Sequence, residues 1–100
     1  MSNEKEVEME IVAKGLDAPR LTPQHIDSCV LAVQYHVFVG TATTVCCITL
    51  QNGFTVIGES ACASPENYDK SLGEKIACEN ARNKIWLLEG YLLKDKLSND

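Results

Sequence analysis

Arg82 and Trp86 stand four residues apart in a segment patterned as helix, so a guanidinium can lie over an indole. An aromatic surface beside a fixed cation is the chemistry that holds a planar anion such as a nucleotide, and Lys84 adds positive charge nearby. The commoner outcome of that spacing is a surface cation–π pair with no ligand. Tyr35 and His36 can join the same site if the fold carries them to it. Tyr35, His36, Arg82, Lys84 and Trp86 are therefore the candidate ligand-binding residues.

The five cysteines, Cys29, Cys46, Cys47, Cys62 and Cys78, are odd in number and contain no C-x-x-C pair. In an extended strand Cys46 and Cys47 point to opposite faces, so they neither pair nor grip one metal together. They read as reduced thiols packed as small apolar groups. His25 and His36 lie at no ligand spacing from a cysteine pair, so no metal site is expected. Nucleophilic catalysis needs a thiol or hydroxyl beside a base and an orienting group, and no such signature occurs. Paired carboxylates in apolar surroundings and a glycine-rich phosphate loop are also missing from the sequence. The expectation is a non-enzymatic protein with no catalytic residues and no cofactor.

The 100 residues, 45% of them hydrophobic, suit one globular domain. A net charge of −5 argues against partners recognised by phosphate neutralisation, whether nucleic acid or an anionic membrane. Met1–Glu10 carries five charged residues and no apolar segment, so it does not read as a signal peptide. Lys70, Lys75, Arg82 and Lys84 gather in one stretch, whose ordinary role is a solvated helix face.

The elements that must position the candidate residues follow from local pattern. Residues 1–20 read as a loosely ordered arm, and residues 21–97 as a single α+β domain. Thr22-Pro23 is a helix start, cap residue then proline, for a short helix over about 23–34. Tyr35–Val39 is an extended segment. Thr43–Leu50 and Phe54–Ser60 are β-rich runs around Asn52-Gly53, which predicts a two-residue hairpin turn. That turn would pair Ile48 with Ile57 and Cys47 with Gly58. Cys46, Ile48, Leu50 and Ile57 would then share one face, and Val45, Cys47, Phe54 and Val56 the other. Ser64-Pro65 repeats the cap logic, and a long helix follows from Tyr68 to about Leu97. Leu72, Ile76, Ala81, Ile85, Leu88 and Leu92 form its apolar stripe. Both hairpin faces and the Ile85–Leu93 segment are apolar, so a homo-oligomer is expected, most simply a symmetric dimer.

Several stretches together carry a resemblance. They are Tyr35-His36-Val37-Phe38 with Gly40-Thr41 and Thr44-Val45-Cys46, Asn52-Gly53-Phe54, Gly58-Glu59-Ser60-Ala61, and Ser64-Pro65-Glu66-Asn67-Tyr68. To these is added the helix Ala81-Arg82-Asn83-Lys84-Ile85-Trp86 with Leu88-Glu89-Gly90-Tyr91-Leu92-Leu93. Over about residues 25–95 the chain resembles the gp-forty-nine/gene-sixty-six family of tailed phages and prophages. The family more usually has proline where this chain has Val39 and Leu87, and Leu87 favours an uninterrupted helix. The resemblance implies an accessory protein working in the host cytoplasm, and it supplies no catalytic residues. By analogy with small phage proteins of this shape, it would bind a host protein. The alternative is that it sequesters a nucleotide signal of host anti-phage defence in a pocket between subunits.

Overall fold

Thr22 opens the folded domain as its residue type dictates. Its hydroxyl accepts from the His25 backbone N–H at 3.1 Å, and Pro23 occupies the first helical position. The computed structural model describes residues 3–99. Its elements are helix α1 (Glu4–Ala13), helix α2 (Pro23–Cys29), strands β1 (Val30–Val37), β2 (Thr43–Leu50) and β3 (Thr55–Ala61), and helix α3 (Lys70–Ser98). A single 3₁₀ turn, Pro65–Asn67, precedes α3. The fold is α+β: an antiparallel sheet in the order β1-β2-β3 with α3 laid across one face.

Several sequence expectations need correction. The segment expected as a loose arm contains α1. The short helix ends at Cys29 rather than about residue 34, because Val30–Val37 pairs with β2 as a third strand. β-Branched Val30, Val33 and Val37 prefer that pleated setting to a helix turn. The hairpin is also shifted by one residue: Ile48 pairs with Val56, Cys47 with Ile57 and Cys46 with Gly58. The loop holds three residues, not two. The Gly53 N–H donates to the Leu50 carbonyl at 2.9 Å, the Leu50 N–H donates to the Phe54 carbonyl at 2.8 Å, and Gly53 takes φ 89°. A one-residue slip exchanges the faces. Val56 therefore goes inside and Ile57 outside.

The core lies between the sheet and α3. Cys46, Ile48, Leu50 and Val56 meet Ala77, Ala81 and Ile85, with Ile26 closing one end. Gly58 faces the small seam of Ala77 and Ala81, which lets helix and strand backbones approach closely. The stripe of α3 is thus shifted from the expected one: Gly73, Ala77, Ala81 and Ile85 are buried, whereas Leu72 and Leu92 are exposed. Asp69, not Ser64, caps α3, accepting from the Leu72 N–H at 2.9 Å. The helix runs without a break through Leu87, as the absence of proline there predicts.

Thr44 is fully buried, and its hydroxyl has no hydrogen-bond partner among the described residues. A buried hydroxyl left unpaired costs about 1–3 kcal/mol. Thr44→Val keeps the branched shape and removes the polar atom. It is expected to stabilise the fold by about 1 kcal/mol, read as a Tm rise of about 4–8 °C. A lowered Tm would show that the hydroxyl is satisfied.

Candidate functional site

Arg82 and Trp86 do meet, but through a carboxylate rather than a ligand. On α3 the two side chains lie one turn apart. Arg82 Nε donates to Glu4 Oε2 at 2.8 Å, and Trp86 Nε1 donates to the same oxygen at 3.0 Å. Arg82 also donates through Nη2 to the Pro23 carbonyl at 3.2 Å and pairs with Asp27 Oδ1 at 2.8 Å. Glu4 holds the guanidinium even more firmly protonated than usual, with Asp27 a weaker contributor. The expected anion site is thus filled by the protein's own α1. A second ion pair, Arg20 with Glu8, one turn further along the same face of α1, ties the helix to the segment before α2 and lowers the Glu8 pKa. The alternating glutamates of the N-terminus gave no sign of this, because the partners lie 78 and 12 residues away.

Lys84 is exposed and does not join Arg82. Two residues along a helix is about 200° of rotation, so the two face apart.

Tyr35 and His36 lie at a different place. With Val37, Tyr68, Lys70 and Glu74 they line an open cleft of about 410 Å³. The cleft exists because α3 crosses β2 and β3 and leaves β1 bare on that side, with Val33 40% and Tyr35 41% exposed. Burial, and then the neighbouring Cys78, push the Tyr35 hydroxyl up to about 12, so it is a neutral donor at every physiological pH. The His36 ring meets Phe38 edge-on, centroids 4.8 Å apart. Lys70 is the first residue of α3, where the dipole end already meets the Asp69 carboxylate, and Glu74 lies one turn further on. Two tyrosines and a lysine around a helix start offer flat surfaces for a base and positive charge for a phosphate. In the sequence Tyr68 read as the start of the long helix and Lys70 as part of a solvated basic stretch. Their proximity to Tyr35 depends on where α3 crosses the sheet.

A third cluster joins α2 to α3. His25 Nε2 donates to Glu89 Oε1 at 2.7 Å, and the Cys29 Sγ lies 3.8 Å from the same nitrogen. Both contacts use one ring nitrogen. A nucleophilic relay needs the second nitrogen for its orienting group, so this is not one. Burial, followed by the negative charge of Glu89, raises the Cys29 pKa. The His25-x-x-x-Cys29 spacing was legible as two side chains on one helix face; a search restricted to cysteine pairs passes over it. The five cysteines carry free thiols. Cys46 is buried, and burial and then Cys78 push its thiol up to about 12.

Among the described residues no helix is long and apolar enough to cross a membrane. Comparison with curated proteins and with solved structures gives no match. Residues 21–97 match the family model described as phage protein (N4 Gp49/phage Sf6 gene 66). That span takes in every strand, α2 and nearly all of α3, and the chain belongs to this phage protein family.

Proposed function

We propose that this is a non-enzymatic phage accessory protein that acts in the host by sequestering a small anionic nucleotide signal. The observation that carries the proposal is the Tyr35–Tyr68 cleft with Lys70 at the start of α3. Its size falls within the range of small-molecule sites, and its lining pairs aromatic surface with the exposed Lys70, beside Glu74. In this reading Arg82 and Trp86 play no part, because α1 occupies them. The net charge of −5 repels an anion at long range. Screening confines that repulsion to about 8 Å at physiological salt, so the charges at the cleft decide: Lys70 draws an anion, against Glu74 in the lining and Asp69 at the helix start. A cleft open on one side suits closure by a second copy of the chain, and the bare α3-side face of β1 is where that copy would sit.

A thermal-shift screen against linear and cyclic nucleotides tests this. A nucleotide at about a hundred times its dissociation constant should add about 2.7 kcal/mol, a rise of several degrees for a domain of this size. The rise should vanish in Tyr35→Ala and in Lys70→Ala while both remain folded, and persist in Lys84→Ala. No rise with any nucleotide removes the reading. A ligand bound by a protein that light scattering shows to be monomeric removes the shared-cleft form of it.

One feature favours a second reading, binding of a host protein. Leu50, Phe54, Leu88, Tyr91 and Leu92 line a predominantly apolar groove where α3 passes the hairpin turn. Phe54, Tyr91 and Leu92 are each more than half exposed there. A bacterial protein retained by the wild type and lost with Tyr91→Asp, together with a silent nucleotide screen, would favour this reading.

A further inference from the structure

We propose that His25, Cys29 and Glu89 form a binding site for a divalent transition-metal ion of the zinc class. The three ligand atoms, one nitrogen, one sulfur and one carboxylate oxygen, lie within 4.8 Å of one another. They come from two elements: His25 and Cys29 are one turn apart on α2, and Glu89 projects from α3. Imidazole, thiolate and carboxylate are the donors that zinc takes, at about 2.0–2.1, 2.3 and 2.0–2.2 Å respectively. Tetrahedral angles with those bond lengths set the nitrogen–oxygen edge at about 3.3 Å and the nitrogen–sulfur edge at about 3.6 Å. The structure has 2.7 Å and 3.8 Å. The nitrogen–sulfur edge is within about 0.2 Å of that geometry, the nitrogen–oxygen edge must lengthen by about 0.6 Å, and the sulfur–oxygen edge, now no more than 4.8 Å, must come to about 3.6 Å, adjustments of side-chain torsion size.

The chemistry balances simply. Metal at Nε2 moves the imidazole proton to Nδ1. The Cys29 thiol gives its proton to water, and the Glu89 carboxylate exchanges its hydrogen bond to His25 for a bond to the metal. The fourth position faces a cavity of about 290 Å³ lined by Ser28, Leu50, Gln51 and Asn52 besides Cys29 and Glu89. The Gln51 side chain donates to the Val30 carbonyl at 3.2 Å, and the Asn52 side-chain Oδ1 accepts from the Phe54 N–H at 3.0 Å. Water or a small exogenous ligand therefore completes the shell. Three protein ligands and an open position make a site of moderate affinity, one that clamps α2 against α3 when filled.

Cobalt(II) reports directly on this geometry. The reduced full-length chain, titrated with cobalt(II), should saturate at one equivalent with tetrahedral visible bands. A near-ultraviolet thiolate-to-cobalt charge-transfer absorption should accompany them, and zinc should bleach both. Cys29→Ser should abolish the charge-transfer band, and Glu89→Gln should weaken binding at least ~10-fold, the scale on which lesser, outer-shell changes already act. Cys62→Ser should leave the spectrum unchanged. Circular dichroism confirms that each variant is folded, and Glu89→Gln, a near-isosteric change on α3, guards against misfolding of the Cys29 variant on α2. Absorption that never saturates, no charge-transfer band, or a band that survives Cys29→Ser overturns the proposal.

Discussion

Gly58→Ala is expected to destabilise the protein by about 3 kcal/mol, at the upper end of overpacking costs. A Cβ at this position would stand 2.8 Å from the Ala81 Cα and closer still to the Ala81 backbone nitrogen and the Ala77 carbonyl oxygen. Those atoms belong to the middle of a 29-residue helix and cannot rotate aside as a side-chain tip would. Either α3 lifts from the sheet, uncovering Ile85 and Val56, or β3 bends away from β2. The entropic benefit of replacing a glycine offsets only about 0.5–1 kcal/mol of this. A domain of this size has about 5–15 kcal/mol in total, so Gly58→Val should not fold at all. Urea denaturation with an unchanged m-value measures the alanine variant. A midpoint within about 1 kcal/mol of the parent would show that helix and strand are not held in contact here.

Arg82→Ala is expected to cost about 3 kcal/mol and to detach α1. Removing one partner of a largely buried ion pair costs about 3–5 kcal/mol, because the opposing charge stays behind, and Arg82 is 20% exposed beside Glu4 at 19%. The same change leaves the Pro23 carbonyl without its Arg82 donor, close to the first turn of α2. Arg82→Lys should recover only part of the loss. A single ammonium cannot reach Glu4, Asp27 and the Pro23 carbonyl in the fork geometry of a guanidinium. Limited proteolysis is the readout: cleavage between residues 4 and 20 should accelerate in Arg82→Ala and be intermediate in Arg82→Lys. Unchanged protection would mean that α1 is held by other contacts. The result also separates the two roles considered for Arg82. A structural clamp lowers stability without ligand, whereas a ligand contact lowers only the response to ligand.

The elements with strong local chemistry were legible from the residues. Thr22-Pro23 opens a helix, the run from Thr43 to Leu50 is a strand, and the absence of proline at Leu87 lets α3 continue. The failures have a common physical origin: each depended on a partner distant in the chain. The hairpin register was misread because Asn52-Gly53 suits both a two-residue and a three-residue loop. The choice is made by Gly58, which must face Ala77 and Ala81 across the core. Val30 and Val33 have helical spacing as well as strand propensity, and pairing with β2 decides between them. Glu4 belongs to a run of alternating glutamates, and only α3 shows which of them is a clamp. Of the candidate site, Tyr35 and His36 fell in a cleft, Arg82 and Trp86 fell under α1, and Lys84 fell outside both. One nominated set was in fact three separate places on the surface.

The β1 strand lies at one margin of the sheet and carries an irregularity between Val30 and Ala32, where Leu31 has no opposite residue on β2. A margin strand exposes unpaired peptide groups, and a straight apolar one is a template on which further chains add and fibrils start. Leu31, Val33 and Tyr35 would make such a template. The bulge at Leu31 twists the backbone out of a straight ladder, and Gln34 and His36 interrupt the apolar run on the opposite face. The geometry that leaves β1 uncovered thus also discourages indiscriminate strand addition.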